Sequence, residues 1–440
     1  MDQQPRKIVV SEKAFAHLSR GLYRSPASAL RELVSNAWDA NATVVRITTN
    51  YPNFYQIAVE DNGDGFTQDD FEFLMESGGI GNSRKRPSTK KLRYGREVIG
   101  RYGIGMLGIA NICGSFRITS RTQEDKGFRA KIHLYDSLKS RLDSGEIAHD
   151  KIVEVGTFQM EDFDPKSVKH GTTVISDDVH PSFIRAFQQS LKFEDFKAVP
   201  ASWKDATTRV AGKVRSLQQL GDYWKLLWEL SVSTPVPYLS NRALPEALIS
   251  KEHARLNSYK FRLIVDGVEL AKPVFLQGNP GGYTIRRIEV TEKIVYGKRL
   301  VFHGYLLVQD GLQLKPDELR GVLIRVKDVA VGYYDPSMLD YRFNEGPRNR
   351  WLTGEIFVTE GLEDALNIDR DSFNRFHPEF RAIQEYVHDL LHGAFSDVYR
   401  EIKVRSTKKE RVRSAERKKS LLEAFQRTTG SKVSFKRATA

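Results

Sequence analysis

The sequence predicts an α+β protein built from two strand-rich units and a basic tail. Three observations carry that reading. The chain has 440 residues, 40% hydrophobic and 28% charged, which is globular composition with room for two or three cored domains. A capped helix is followed by strands that end in glycine-rich turns, so helix-period and strand-period segments are mixed within one stretch. A second run of strands begins near Tyr259 and ends in a long helical pattern from Pro378. Disorder throughout and collagen are excluded. One cysteine, Cys113, excludes a disulfide scaffold and a multi-cysteine metal site. The most apolar region, Tyr223 to Leu239, is interrupted by Lys225 and Glu229, and the start MDQQPRK lacks an apolar signal core. A soluble, cytoplasmic protein without a membrane span is expected.

Taken in order, Ser25-Pro26 opens the first helix, with Ser at the N-cap and Pro at the first helical position. Leu30, Leu33, Val34 and Ala37 form its apolar side. Val44 to Thr49 and Gln56 to Glu60 read as strands, the second closed by DNGDG. Asp69 to Glu76 is a short amphipathic helix. Ser77 to Glu97 is rich in Gly, Ser, Lys and Arg without periodicity and reads as a mobile loop. A glycine-studded helix start, IGRYGIGMLGIANI, leads to strands from Ser115 to about Ile175, and helical patterns fill Pro181 to Val232. The second unit has FRLIVDG, YTIRRIEV, RLVFHGYLLV, GVLIRVKDVAVGYY and GEIFVTEG as strands. The expected division is 1–250, 251–400 and a tail at 401–440.

Four local patterns bear on chemistry. Glu32 and Asn36 lie one helical turn apart and point the same way, placing a water-activating carboxylate beside a neutral oxygen ligand. A solvated helix face would look the same. Asp61-Asn-Gly63-Asp-Gly65 follows a strand, where glycines admit a flat ligand and a carboxylate can accept from an exocyclic amine; an ordinary hairpin turn is the plain alternative. Gly100, Gly103, Gly105 and Gly108 open a helix whose free amides and dipole suit a polyphosphate. Gly103 to Gly108 also fits the dinucleotide fingerprint, but no strand precedes it, so a Rossmann site is rejected. Finally, HGTTVI puts the Thr172 hydroxyl at the start of a strand.

In this order, ELVSNAWDA, DNGDGF, a Gly/Ser/Lys segment, GRYGIGMLG and HGTTVI resemble the GHKL ATPase superfamily over roughly residues 20 to 180. That superfamily includes DNA gyrase B, the ninety-kilodalton heat-shock chaperones, histidine kinases, mismatch-repair MutL and MORC proteins; the heat-shock and MORC branches look most similar. The resemblance implies a Bergerat-type α/β sandwich that binds ATP and Mg²⁺ and hydrolyses ATP. It implies Glu32 as general base, Asn36 as the Mg²⁺ ligand, and Asp61 on the adenine amine with Thr172 supporting a water. Gly63 would lie in the base-binding turn and Gly65 would clear space for the base. Gly100, Gly103 and Gly105 would wrap the phosphates, Asn82, Ser83 and Lys85 would sit in the lid, and Asp39 would buttress the pocket.

The second unit resembles the heat-shock middle domain, a ribosomal-S5-like transducer, through HGYLLVQ, VLIRVKDVAVG, the intervening DGLQLKPDELRG and EGLEDALNIDRDSF. The resemblance implies a cation from that loop on the γ-phosphate, with Lys315 first and Arg320 second. A histidine kinase would need a phosphoacceptor helix pair before the ATP domain, and gyrase-like cleavage would need a further domain, so a conformational ATPase remains. Such proteins close as homodimers on ATP. One function is an ATP-gated clamp acting on nucleic acid or recruiting a protein effector, in genome maintenance or defence against foreign DNA. The other is a chaperone-like remodeller. Residues Glu401 to Ala440 hold 13 Lys/Arg and 4 Glu, a net +9 of the chain's +12. The basicity is mostly a tail, which either contacts nucleic acid or docks a partner through Leu421, Leu422 and Phe425.

Overall fold

The computed structural model describes residues 4–11, 26–76, 92–100, 108–109, 112–135, 152–176, 178–190, 198–239, 246–273, 283–309, 313–367 and 371–430. Its first sheet contains β1 (Arg6–Ser11), β2 (Val44–Thr48), β3 (Ile57–Asp61), β4 (Ser115–Arg121), β5 (Gly127–Leu134), β6 (Ile152–Glu161), β7 (Gly171–Ser176), β8 (Arg262–Val265) and β9 (Val268–Glu269). They run in the order β1-β6-β5-β4-β7-β3-β2-β8-β9. Burial alternates along β4 and β5, the mark of strands with one face on a core.

That core is closed by helices α1 (Pro26–Asp39), α2 (Gln68–Glu76), α3 (Pro181–Ser190), α4 (Trp203–Lys213) and α5 (Asp222–Ser233). Leu30, Leu33, Val34 and Ala37 of α1 are all buried, as the apolar side read from the sequence requires. Trp38 packs edge-to-face on Tyr259 and Phe261, with ring centroids 5.1 and 5.2 Å away.

The chain position of β8 differs from the expectation. Its pattern placed it at the start of the second unit, yet it pairs in parallel with β2. The side chain and backbone of Thr49 both donate to Asp266, at 2.7 and 2.8 Å, and Tyr223 donates to the same carboxylate at 2.8 Å. Alternation records that a strand is half-buried. It does not record which strand lies beside it.

The second sheet comprises β10 (Tyr283–Val295), β11 (Lys298–Gln309), β12 (Gly321–Val326), β13 (Val329–Ala330) and β14 (Leu352–Glu360), ordered β10-β11-β14-β12-β13. Helix α6 (Glu246–Ser258) precedes it, and α7 (Pro378–Thr429) follows. Every residue of β12 is buried because both sheet faces are covered. Leu306, Val322, Ile324, Ile356 and Val358 pack with Phe380, Ile383, Val387 and Leu391 of α7. Tyr305, Leu307, Leu323 and Phe357 face the other way and join the first unit's core. At that junction Arg325 pairs with Glu355, whose carboxylate also accepts from Tyr334 at 2.7 Å and Tyr238 at 3.1 Å. A buried charge pair with its remaining lone pairs filled is costly to break from either side.

Candidate active site

Helix α1 carries Glu32 and Asn36 one turn apart, both only partly exposed on a helix whose other positions are largely buried. The Glu32 side chain keeps 14% of its surface accessible, enough to meet a small ligand while most water is excluded. Asp39 faces the segment after the 3-10 turn Arg93–Gly95 and accepts from the amides of Ile99 at 2.8 Å and Gly100 at 2.7 Å. A Cβ on Gly100 would sit 2.6 Å from the Asp39 carboxylate, so only glycine keeps this contact. Asp39 therefore fixes the backbone that leads toward Gly103 and Gly105. Those two glycines, with Asn82, Ser83 and Lys85, lie outside the described residues.

The same backbone segment is anchored at its start by Arg96. Its buried guanidinium donates to the carbonyls of Ala42 at 2.6 Å and Tyr259 at 2.5 Å and lies over Trp38. Burial pushes its pKa down to about 10. Trp38 donates its indole N–H to the Glu97 carbonyl at 2.9 Å.

Across the sheet, Asp61 ends β3 and pairs directly with Thr172 of β7, which pairs in turn with Ser120 of β4. Residues opposite each other in antiparallel strands share a face, so the three polar side chains form a row. The Thr172 and Ser120 hydroxyls are 3.1 Å apart, and Ser120 accepts from the Phe66 amide at 3.0 Å. Asp61 accepts from the Gly63 amide at 2.7 Å. The turn is tied to the end of α1: the Asp64 amide donates to the Ala40 carbonyl at 2.6 Å, and the Asn41 side chain donates to the Asp64 carboxylate at 2.6 Å. Gly65 has φ +66, and a Cβ there would lie 2.3 Å from the Arg121 carbonyl. The neighbouring strand's backbone therefore already requires glycine here.

A cavity of about 40 Å³ lies between α1 and the turn joining β12 to β13. Arg31, Glu32 and Ser35 line one side, Val98 and Ile99 another, and Lys327 with Glu363 the third. At roughly 10–15 Å³ per water, it has room for about three or four waters. Arg31 is paired with Asp371 at 2.7 Å and stands 3.9 Å from Glu32. Burial works against its charge, but the Asp371 and Glu32 carboxylates outweigh it and raise its pKa. Lys327 reaches Glu363 at 3.1 Å, the Val98 carbonyl at 3.4 Å and Glu97 at 3.8 Å. Burial, reinforced by Glu363 and Asp328, raises the Glu97 pKa against the pull of Lys327.

Lys327 and Asp328 both have positive φ, +51 and +69, in a turn where glycine or asparagine would be less strained. Both side chains are engaged with the first unit. The buried Asp328 carboxylate meets Arg255 at 2.6 Å and accepts from Tyr259 at 2.7 Å; burial, reinforced by this carboxylate, raises the Tyr259 pKa. Lys315 and Arg320 stand elsewhere, in a loop whose Asp317 amide donates to the Arg215 carbonyl at 2.8 Å. Among the described residues, the cations lining the Glu32 cavity are Arg31 and Lys327.

Sequence reasoning thus located α1, the Asp61 turn and Thr172. It passed over Ser120, Arg31, Lys327, Glu363 and Asp371. The one available signal for Lys327 was a Lys-Asp pair, instead of glycine, between two apolar strands.

A carboxylate-bearing helix over a mainly antiparallel sheet, with an Asp–Thr pair on adjacent strands and glycine-bearing backbone held beside the helix, defines a class of α+β ATP-binding domain. Residues 23–160 match the family described as histidine kinase-, DNA gyrase B-, and HSP90-like ATPase, and the chain carries a domain of this GHKL superfamily there. Over 117 residues, 26% of the chain, it is 42% identical to a protein named type II restriction enzyme HgiDII of Herpetosiphon aurantiacus, covering 18% of that protein. Over 135 residues, 30% of the chain, it is 39% identical to the DNA mismatch repair protein MutL of a Geobacillus species, covering 19% of it. MutL of Neisseria meningitidis is 30% identical over 134 residues, again 30% of the chain and 19% of the relative. The chain thus spans less than a fifth of these relatives' length. Among the described residues, no helix is long and apolar enough to cross a membrane.

Proposed function

We propose that the chain is an ATP-hydrolysing conformational switch whose site is completed by the second sheet. The observation that carries this reading is that Glu32 of α1 and Lys327 of the β12–β13 turn line one cavity. Glu32 orients the attacking water. Asp61 accepts from the adenine amine, with Thr172 and Ser120 holding the adjoining hydrogen bonds. Lys327 places its charge where the γ-phosphate gains negative charge, and it exchanges its contacts to Glu363 and Glu97 for that phosphate. Lys315, the first choice from loop position, would serve only if that loop moved off Arg215.

Asn36 supplies a neutral oxygen for Mg²⁺, which when bound offsets phosphate charge. The lid residues Asn82, Ser83 and Lys85 and the glycines Gly103 and Gly105 complete the phosphate contacts.

Closure then brings two copies together on ATP, acting on nucleic acid or recruiting an effector in genome maintenance or defence against foreign DNA. The names of the relatives, a restriction enzyme and mismatch repair proteins, support that direction over client remodelling. Moving such a switch from 1:99 to 99:1 needs about 5.5 kcal/mol of differential binding, within reach of several new charge-assisted phosphate contacts. The test is sedimentation with and without ATP alongside steady-state hydrolysis. ATP-dependent dimers and measurable turnover are expected; a chain that neither binds nor hydrolyses ATP overturns the reading.

A further inference from the structure

Helix α7 changes character along its length. Phe380, Ile383, Val387, Leu391, Phe395 and Val398 are buried against the second sheet, and Ile402 still packs on that core. From Lys403 to the end of the helix at Thr429, every residue except Arg405 and Leu422 is exposed. At 1.5 Å per residue this free part is about 40 Å long. Between Lys408 and Lys419 it carries seven Lys/Arg against two Glu. Among the described residues, none of those seven forms an ion pair.

Two ordinary explanations fail on this segment. The basic side chains are distributed around the helix, so no broad apolar face exists to lie on a membrane. The 4-3 spaced positions 404, 408, 411, 415, 418, 422 and 425 share one face, but Lys408, Arg411 and Lys418 interrupt the seam a second copy would need. An unpacked helix with like charges three and four residues apart is also self-repelling. That face holds no acidic residue, whereas Glu410, Glu416 and Glu423 point elsewhere.

We infer that this projecting half of α7 is a phosphate-tracking arm for double-stranded nucleic acid, with Lys408, Arg411 and Lys418 as the contacting cations. The inference rests on the proposed action on nucleic acid but not on ATP hydrolysis. From Val404 to Phe425 the face spans about 32 Å, close to one turn of duplex. Phe425 is the sole aromatic residue of the exposed half, so there is no stacking platform for single strands. Basic side chains that contact phosphates and leave base edges alone make binding independent of sequence.

The experiment uses the full chain without nucleotide, two 30-base-pair duplexes of unrelated sequence, a single strand of the same length, and vesicles with anionic lipid. Salt-dependent binding to both duplexes is expected, with a gain in helical circular dichroism. Replacing Lys408, Arg411 and Lys418 by Gln should flatten the slope of log K against log salt by about 3 and weaken binding at least about tenfold. Replacing Lys409, Arg413 and Arg417 by Gln, an equal charge loss on the other face, should do much less. A chain ending at Val404 should not bind. Equal losses from the two triple variants, stronger binding to vesicles or to the single strand, or undiminished duplex binding by the truncated chain would each overturn the assignment. ATP turnover measured in the same variants should not change, which separates failure of the arm from failure of the ATPase.

Discussion

Two segments of the second unit reach the first, the loop at 313–320 and the turn Lys327–Asp328, and they make different kinds of contact. The loop lies on the helical layer. Glu318 accepts from the Ser216 hydroxyl at 2.6 Å and the Leu217 amide at 2.9 Å. Arg320 is enclosed by Asp317 at 2.5 Å and the Leu314 carbonyl at 2.9 Å. Its cation is spent on its own loop. The turn instead projects Lys327 between two carboxylates beside Glu32, while Asp328 fastens the turn from behind. What separates the two cations is place: Lys327 lines the same cavity as Glu32, and Arg320 does not, so under the proposed mechanism Lys327 is the charge offered to a phosphate, exchanging its contacts to Glu363 and Glu97 for it.

The largest effect that would sharpen this contrast is at its reference point. Glu32→Ala should bind ATP with little loss and hydrolyse it about 10²-fold or more slowly, measured by equilibrium binding and steady-state phosphate release. Wild-type turnover would remove the point on which both segments are compared. Lys327→Ala should lower turnover about 10²-fold, the usual loss of one transition-state charge contact, with ATP affinity nearly intact. Lys315→Ala and Arg320→Ala, run side by side, should stay within a few fold; if one of them reproduces the expected Lys327 behaviour, the loop and not the turn supplies the cation.

Away from both segments, Asp61→Asn should weaken ATP binding by about 1.5–3 kcal/mol, the value of a hydrogen bond to a charged group, seen by calorimetry. GTP binding as tightly as ATP to the wild type would contradict the role, because guanine presents an acceptor there. The smallest effect concerns the fastening. Tyr259→Phe removes the hydroxyl that donates to buried Asp328 and should cost about 1 kcal/mol in urea unfolding, with a modest fall in turnover at unchanged KM. Unchanged stability and turnover together would mean that Arg255 alone holds the turn.

Sequence by itself determined the elements with short-range causes. Pro26 opens α1, the 3.6-residue spacing of Leu30, Leu33, Val34 and Ala37 orients it, and that orientation carries Glu32 and Asn36 with it. Alternation likewise located β3 and β7, and the glycines after Asp61 announced a turn. Partner choice was another matter. That β8 lies beside β2, that Asp61 faces Thr172 with Ser120 beyond, and that β12 is buried on both faces all depend on contacts between residues far apart in the chain, to which local pattern is blind. The cation shows this most sharply. Lys315 and Lys327 are both lysines in connections flanking the same strand, β12, and nothing in their immediate neighbours ranks them. Only the packing of the second sheet against α1 and Val98 decides which one shares a cavity with Glu32, because a charge acts through its distance in space and not its position in the sequence.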